Sequence, residues 1–173
     1  MKTDTPIPFS TVGNLWLMPV GHSLILPVGG EGTMAKARKE IELAVRFGNQ
    51  PGAMARVLEV IAREGINLLA YCSYSDRDQF VMLLVPDDPF HAKAALQAAG
   101  FDCKANAVVL VSDTDRVGAA AQLGAHLGGA GISILYSYAS SGGSEQFFAV
   151  FKTMDDEAAI RVLESRWGSQ AAA

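Results

Sequence analysis

Two short junctions, GNQPG at 48–52 and TDRVG at 114–118, place polar side chains directly before an amphipathic or alanine-rich run. The first N–H groups of a helix have no partner within the helix and lie at the positive end of its dipole, so they suit a carboxylate. The glycine that ends each junction has no β-carbon and lets the backbone approach a ligand closely. Both junctions are therefore candidate loops for binding a small carboxylate.

The polar side chains of the two junctions differ in charge. Asn49 carries a carboxamide that both donates and accepts, which matches an ammonium and a carboxylate together. Asp115 favours an ammonium, whereas Arg116 favours a carboxylate. Asn and Asp also close turns and cap helices in many proteins, and this local role remains an alternative for Asn49 and Asp115.

The elements around the first junction follow from hydrophobic periodicity. The pattern predicts strands at 40–47, 66–75, 79–85 and 101–111, with helices at 54–61 and 87–100. Pro51 fits the first turn of a helix, where its missing N–H costs nothing, and Gly65 ends that helix. The order β-α-β-β-α-β is a split βαβ unit of the ferredoxin-like kind.

The same order begins again at a constant offset. Gly52 corresponds to Gly118 and Gly65 to Gly131, both 66 residues apart (118 − 52 and 131 − 65). This period exceeds that of solenoid repeats and indicates domain duplication, in a first copy (copy one) and a second (copy two). The end of copy two, RWGSQAAA, is too short and polar for a full strand. Its last strand is predicted to be short, missing or supplied from elsewhere.

The chain divides into four predicted segments. Residues 1–38 are predicted to be a leader or disordered segment, of which residues 1–33 do not belong to the native protein if translation starts at Met34. Residues 39–107 form the first domain, 108–167 the second, and 168–173 a tail. Glu31-Gly32 can be encoded by a GAG-GGN run, which resembles a ribosome-binding site just upstream of Met34 and motivates that start.

The repeated strand–loop–helix–strand resembles the ACT domain. GNQPGAMARVLEVIAREGINLLA (48–70) is a close match and TDRVGAAAQLGAHLGGAGISIL (114–135) a looser one. The resemblance implies an α+β fold of two ferredoxin-like ACT units in tandem, with helices on one face of antiparallel sheets. It also implies a regulatory module with no catalytic domain attached.

The resemblance further implies binding of a free amino acid or similar small metabolite between two paired ACT units. In the family, the first strand–helix loop of one unit and the start of the second strand of its neighbour contact the ligand. The implied contacts are Asn49, Gln50, Pro51, Gly52 and Asn67 in copy one and Asp115, Arg116, Val117, Gly118 and Ser133 in copy two. A plain solvent-facing role at a strand end is the alternative for Asn67 and Ser133.

Composition excludes several classes of function. The net charge of −4 and the lack of a Lys/Arg cluster favour neither nucleic acid nor a membrane surface. Cys72, Cys103 and three scattered histidines lack metal-ligand spacing, which predicts no metal site and no cofactor. Two distant cysteines are typical of free thiols in a reducing cytosol, so we predict a cytoplasmic protein. No P-loop, GxSxG, HExxH or paired-carboxylate motif occurs, so we predict that it is not an enzyme.

Three functions remain open. The first is a stand-alone amino-acid sensor, a homodimer that passes its signal to a partner. The second is a regulatory subunit of a biosynthetic enzyme such as acetolactate synthase. The third is a dimerisation module without a ligand.

Two patterns predict packing. Strand alternation puts Cys72 on the helix-covered face and Tyr71 on the open one. Ala120, Gly124 and Gly128 form a stripe of small residues, which indicates either a close helix contact, between copies or subunits, or mere drift in an alanine-rich helix.

Overall fold

The computed structural model of the protein describes residues 36–141 and 146–168. Its elements in chain order are β1 (Lys36–Gly48), α1 (Ala53–Arg63), β2 (Leu68–Asp76), β3 (Gln79–Pro86), α2 (Pro89–Ala98), β4 (Cys103–Thr114), α3 (Ala119–Gly129), β5 (Ile134–Ser141), β6 (Gln146–Thr153) and α4 (Asp156–Gly168). The α+β class and the repeated ferredoxin-like order predicted from the sequence are confirmed.

All six strands form one antiparallel sheet in the order β2-β3-β1-β4-β6-β5. Copy one occupies the four positions β2-β3-β1-β4, as expected of a ferredoxin-like unit. Copy two occupies β5-β6-β4-β1, so its fourth position is filled by β1. In the described part of the chain, three strands follow α2, namely β4, β5 and β6. The strand β4 belongs to both copies, because it is the last strand of copy one and the first strand of copy two.

The two copies share their central strands about a pseudo-twofold axis. Ile41 of β1 lies opposite Ala107 of β4, and these residues are separated by the repeat offset of 66 (107 − 41). The first half of β1, from Lys36, pairs with β4 up to Ser112 and completes copy two. The second half of β1 pairs with the start of β4 and completes copy one. The sheet is therefore continuous across the predicted domain boundary at 107/108, which lies inside β4.

The predicted leader and tail lie mostly outside the described residues. β1 begins at Lys36, so residues 36–38 form strand rather than leader. The described part of the chain does not include the Met34 start or residues 169–173, and those expectations stay predictions.

The helices cover one face of the sheet and bury two cores there. The strand β1 contributes side chains to both cores. Leu43 and Val45 lie in the core of copy one, whereas Ala37 lies in the core of copy two. The copy-one core also contains Val57, Ile61, Ile66, Met82, Leu84, Ala92, Leu96 and Cys103. The copy-two core contains Val109, Val111, Ala119, Leu123, Leu127, Phe147, Ala149, Phe151, Ala159 and Leu163.

A third cluster lies on the sheet face away from the helices. Val85, Val108, Leu110 and Val150 are buried in it. Leu69 and Ala70 of β2 and Tyr138 of β5 pack against the same cluster, although β2 and β5 are opposite edges of the sheet. The sheet must therefore curl around this cluster, which we call the inner core.

Two packing predictions from the sequence are wrong. Tyr71 lies opposite Leu84, a residue of the helix-covered core, and Cys72 lies opposite Leu83, so their faces are reversed. The cause is a bulge between Leu68 and Ala70, which shifts the alternation by one residue.

The small-residue stripe makes no close contact inside the described chain. A β-carbon added at Gly124 or Gly128 meets no atom within 4 Å. A close contact between copies is therefore excluded for these two glycines, and a contact between subunits stays a prediction.

Candidate functional site

Loop one (49–52) follows β1 and is held to the end of β2. The Asn49 carboxamide donates from Nδ2 to Ser75 Oγ at 3.1 Å, and its backbone N–H donates to the Asp78 carbonyl at 3.1 Å. Gly52 takes a positive φ of 81° at the N-cap of α1, a conformation that glycine adopts without strain. Loop one thus has a defined shape before any ligand binds.

Loop two (115–118) has the same construction at the other end of the sheet. The Ser141 hydroxyl donates to the Asp115 carboxylate, and Gly118 has a φ of 88° at the N-cap of α3. Asp115 and Ser141 lie 66 residues after Asn49 and Ser75, so both copies keep the same polar tether. This repeated contact supports the local role of Asn49 and Asp115.

The helices that follow the two loops lack a side-chain cap. No side chain caps α1 at Gly52 or α3 at Gly118 among the described residues. In contrast, the Asp88 carboxylate accepts from the His91 N–H of α2 at 3.0 Å, and Asp155 accepts from the Ala158 N–H of α4 at 2.9 Å. The first-turn amides that follow Ala53 in α1 and Ala119 in α3 are therefore not capped by a side chain and remain suited to an external anion.

The strand-start residues lie level with the middle of the sheet rather than beside a loop. Leu68 pairs with Pro86, two residues beyond the Leu84–Leu43 pair, so Asn67 lies close to the level of Ile41 on β1. Ile134 pairs with Thr153, two residues beyond the Phe151–Val109 pair, so Ser133 lies close to the level of Ala107, which is opposite Ile41. Within one chain, the registers therefore do not bring Asn67 or Ser133 to the end of the sheet where either loop lies.

The backbone at both strand starts is tied to the following strand or its end. The Asn67 N–H donates to Asp87 Oδ1 at 3.1 Å, and the Asn67 carbonyl accepts from the Asp87 N–H at 3.0 Å. The Ser133 carbonyl accepts from the Met154 N–H at 3.0 Å. Asn67 and Ser133 are exposed, as a ligand contact and a plain solvent contact both require.

The middle positions of the loops contribute mainly backbone. The Gln50 carbonyl accepts from the Ala53 N–H, and the Arg116 carbonyl accepts from the Ala119 N–H, each at 3.1 Å. Pro51 is exposed, and Val117 is 96 % exposed. Val117 is therefore available to contact a ligand or a second protein surface, but it makes no contact that shapes loop two.

The two copies differ in the residue that lies two positions before each loop, at the end of the preceding strand. Beneath loop one, the centre of the Phe47 ring lies 5.4 Å from the centre of the Phe80 ring and 5.8 Å from that of the Phe101 ring. The equivalent residue below loop two, 66 positions later, is Asp113, which is 7 % exposed. The residue beneath loop one is therefore aromatic, whereas the residue beneath loop two is acidic.

Asp113 is a buried acid that the sequence predictions missed. Its Oδ1 accepts from the Thr114 N–H at 2.7 Å, whereas its Oδ2 is buried without a hydrogen-bond partner among the described residues. The Arg116 guanidinium lies 3.7 Å from Oδ2, which is an ion-pair distance but not a hydrogen bond. Strand alternation from Val109 and Val111 could have placed Asp113 on the covered face.

A second buried acid lies on the opposite face of the sheet. Glu42 is fully buried beside the inner core. The Tyr136 hydroxyl donates to its Oε1 at 2.5 Å, and the Tyr138 hydroxyl donates to its Oε2 at 3.0 Å. Glu42 thus links the shared strand β1 to the edge strand β5. Alternation alone suggested a solvent-facing residue, because it does not reveal that the sheet curls.

Burial dominates the titration of this cluster. It raises the pKa of Glu42, and hydrogen bonds from Tyr136, Tyr138 and Asn106 only partly offset that rise. Burial and the neighbouring Glu42 carboxylate hold the pKa values of both tyrosines well above their usual range. The tyrosines therefore stay protonated and act as hydrogen-bond donors.

The described residues contain no group of His, Cys, Asp and Glu side chains that could hold a metal ion. Cys72 and Cys103 are free thiols, and burial raises the pKa of Cys103. None of the helices in the described part of the chain is long and apolar enough to span a membrane.

Comparisons with known proteins identify the family. The model for the ACT domain pair matches residues 40–166. A crystal structure of a protein from Bacteroides thetaiotaomicron is 28% identical with a TM-score of 0.70, over 75% of this chain and 90% of that one. No curated protein sequence matches the chain.

Regulatory subunits of aspartate kinase share the fold. The subunit from Thermus thermophilus, in its ligand-free form, has a TM-score of 0.58 at 17% identity, over 78% of this chain and 97% of that one. The subunit from Thermus flavus has a TM-score of 0.55 at 21% identity, over the same shares. Since the family model covers most of the sequence, the chain belongs to the family of ACT domain pairs.

Proposed function

We propose that the chain is a non-catalytic regulatory protein that binds a free amino acid at its strand–helix loops and passes the signal to a partner protein. The observation that carries this proposal is the pair of uncapped helix N-termini, each behind a positive-φ glycine, at Gly52 and Gly118. The other two helices are capped by their own aspartates, so the exception is specific to the two loops.

The loops are suited to a carboxylate for physical reasons. Amides at the first turn of a helix point outward and lie at the positive end of the helix dipole. The tethers to Ser75 and Ser141 hold each loop in place, which reduces the entropy lost on binding. Asn67 and Ser133 are exposed at their strand starts, and in a dimer they would supply further polar groups from a neighbouring unit.

A partner enzyme is part of the proposal. The two Thermus relatives are described as regulatory subunits of aspartate kinase, which motivates a search for an enzyme that this chain controls. We also propose a homodimer, as in the ACT resemblance. An affinity-tagged chain that recovers a biosynthetic enzyme from the source cells would support the regulatory-subunit form of the proposal.

The direct test is a thermal-unfolding screen against the twenty L-amino acids, each added singly. An amino acid present at 100 times its dissociation constant should stabilise the protein by about 2.7 kcal/mol. The amide of the same amino acid lacks the carboxylate and should give a much smaller shift. If no amino acid stabilises the protein, the ligand-free dimerisation module becomes the better description.

A further inference from the structure

We propose that loop two, and not loop one, binds the amino acid, with the ligand's ammonium at Asp113 and its carboxylate at Arg116 and the N-terminus of α3. This inference rests on the proposed function and makes it specific. It assigns one ligand to each chain and names the two charged side chains that recognise a zwitterion.

The Asp113 carboxylate has an unused acceptor. Its side chain is 1 % exposed, and only Oδ1 has a hydrogen bond, from the Thr114 N–H. A buried carboxylate oxygen without a donor is destabilising, and such atoms are rare in folded proteins. An ammonium group carries three donors and would satisfy Oδ2 completely.

Arg116 holds the place that the ammonium would take. Its guanidinium lies 3.7 Å from Asp113 Oδ2, too far for a hydrogen bond, and its side chain is 24 % exposed. The guanidinium can therefore move outward while the ammonium replaces it beside Oδ2. Its planar fork then faces the ligand carboxylate, which it can bind through two parallel hydrogen bonds.

The neighbouring groups favour the same orientation. The uncapped amides of α3 follow Gly118 and attract the carboxylate end of the ligand. The carboxylate of Asp115 accepts from Ser141, so the acid that sequence reasoning assigned to the ammonium already has a partner. Asp113 Oδ2, in contrast, is a buried acceptor beside loop two that has no hydrogen-bond donor among the described residues.

Loop one lacks the acidic half of this arrangement. At the position of Asp113 it has Phe47, whose ring packs against Phe80 and Phe101. Arg56, the nearby cation, lies with its guanidinium carbon 5.6 Å from the centre of the Phe101 ring. An amino acid at loop one would have helix amides for its carboxylate but no buried acid for its ammonium.

Isothermal titration calorimetry with the amino acid that gives the largest thermal shift tests this inference. The wild-type chain should bind one equivalent. Asp113→Asn should weaken binding about 10- to 100-fold, since a hydrogen bond to a charged group is lost. The matched change at the equivalent position of copy one, Phe47→Leu, should leave the dissociation constant within about twofold.

A ligand analogue tests the same contact without altering the protein. The N-acetyl derivative of that amino acid has no ammonium, and its affinity for the wild-type chain should fall at least as far as the Asp113→Asn variant's affinity for the parent ligand. An unchanged dissociation constant in Asp113→Asn, or two equivalents per chain, would overturn the inference while leaving the proposed function intact. If none of the twenty amino acids binds, both are wrong.

Discussion

The two copies share one backbone plan but differ in what lies below their loops. Copy one closes the space with Phe47, which packs in an aromatic group, whereas copy two places the buried Asp113 there. The tether between loop and strand end is the same in both. The tether holds each loop to the end of a neighbouring strand, and we propose that the residue below the loop decides whether a charged ligand is recognised.

The copies also differ in how they complete their sheets. Copy one is closed by the start of β4, which follows α2 directly in the chain, whereas copy two is closed by the first half of β1, far away in sequence. Because β1 and β4 belong to both copies, we expect a single cooperative unfolding transition. The copies are therefore not independent domains, although each has its own helix-covered core.

The largest expected effect tests this shared strand. Ala37 lies on β1 but is buried in the copy-two core, so Ala37→Asp would bury an unpaired charge there. We expect the free energy of unfolding to fall by about 3 to 5 kcal/mol in urea denaturation. The control Lys36→Asp, at an exposed position, should change it by about 0.5 kcal/mol or less. Equal effects would show that β1 does not complete copy two.

The next largest effect is expected when the residue beneath loop one is replaced by the residue type found beneath loop two. Phe47→Asp would place a carboxylate beside Phe80 and Phe101. We expect a loss of about 2 to 4 kcal/mol, because Phe47 is half-buried and the carboxylate gains no donor there. Phe47→Leu should cost about 1 kcal/mol. A neutral Phe47→Asp would mean that loop one can hold an acid as loop two does.

The pH dependence of stability tests the buried Glu42. Its folded pKa is raised by burial, so its stabilising protonated form is fully present below the ordinary glutamate value of about 4.3. Stability should fall as the pH rises above that value and through the raised folded pKa. Glu42→Gln removes this term, so the wild type should lose stability relative to the variant between acidic and neutral pH.

Asp156 also contributes to the pH dependence of stability, but it does not affect the difference in stability between the wild type and Glu42→Gln. Burial acts to raise the pKa of Asp156, but hydrogen bonds from Lys152 and Thr153 outweigh it and lower the pKa. Its contribution is therefore present above the unfolded pKa and is lost as the pH falls. Since Asp156 is present in both proteins, it cancels. A difference between wild type and Glu42→Gln that does not vary with pH would contradict the buried position of Glu42.

The smallest expected effect concerns the stripe on α3. Space is open beside Gly124, so Gly124→Ala should raise the free energy of unfolding by about 1 kcal/mol through helix propensity. In copy one the equivalent residue is Leu58, which packs against the core. Size-exclusion chromatography of the same variant reports whether a subunit contact uses this stripe. An unchanged oligomeric state together with higher stability would indicate that the stripe arose by neutral sequence drift and makes no subunit contact.

The repeated element order was predictable because it depends on local signals. Alternation in β1, the helix period of α1 and the glycines at the helix ends are all short-range features. The identity of the fourth strand of copy two was not predictable in this way. It depends on pairing between β1 and β4, whose contacts Lys36↔Ser112 and Ile41↔Ala107 span more than sixty residues.

The candidate site was only partly predictable. The resemblance and the repeat led to both loops, but the two buried acids were missed for different reasons. Glu42 lies on a face that becomes buried only because the sheet curls and brings Tyr136 and Tyr138 across it. Asp113 was within reach, because the 66-residue offset aligns it with Phe47.

The most direct test of the central claim is the backbone amide spectrum of the protein during titration with the amino acid that binds it. Gly52 and Gly118 hold equivalent positions and report separately on loop one and loop two. We predict that the Gly118 signal shifts with the ligand concentration and saturates, while the Gly52 signal shifts far less. Equal shifts at both glycines, or a saturating shift at Gly52 alone, would contradict the assignment of the ligand to loop two.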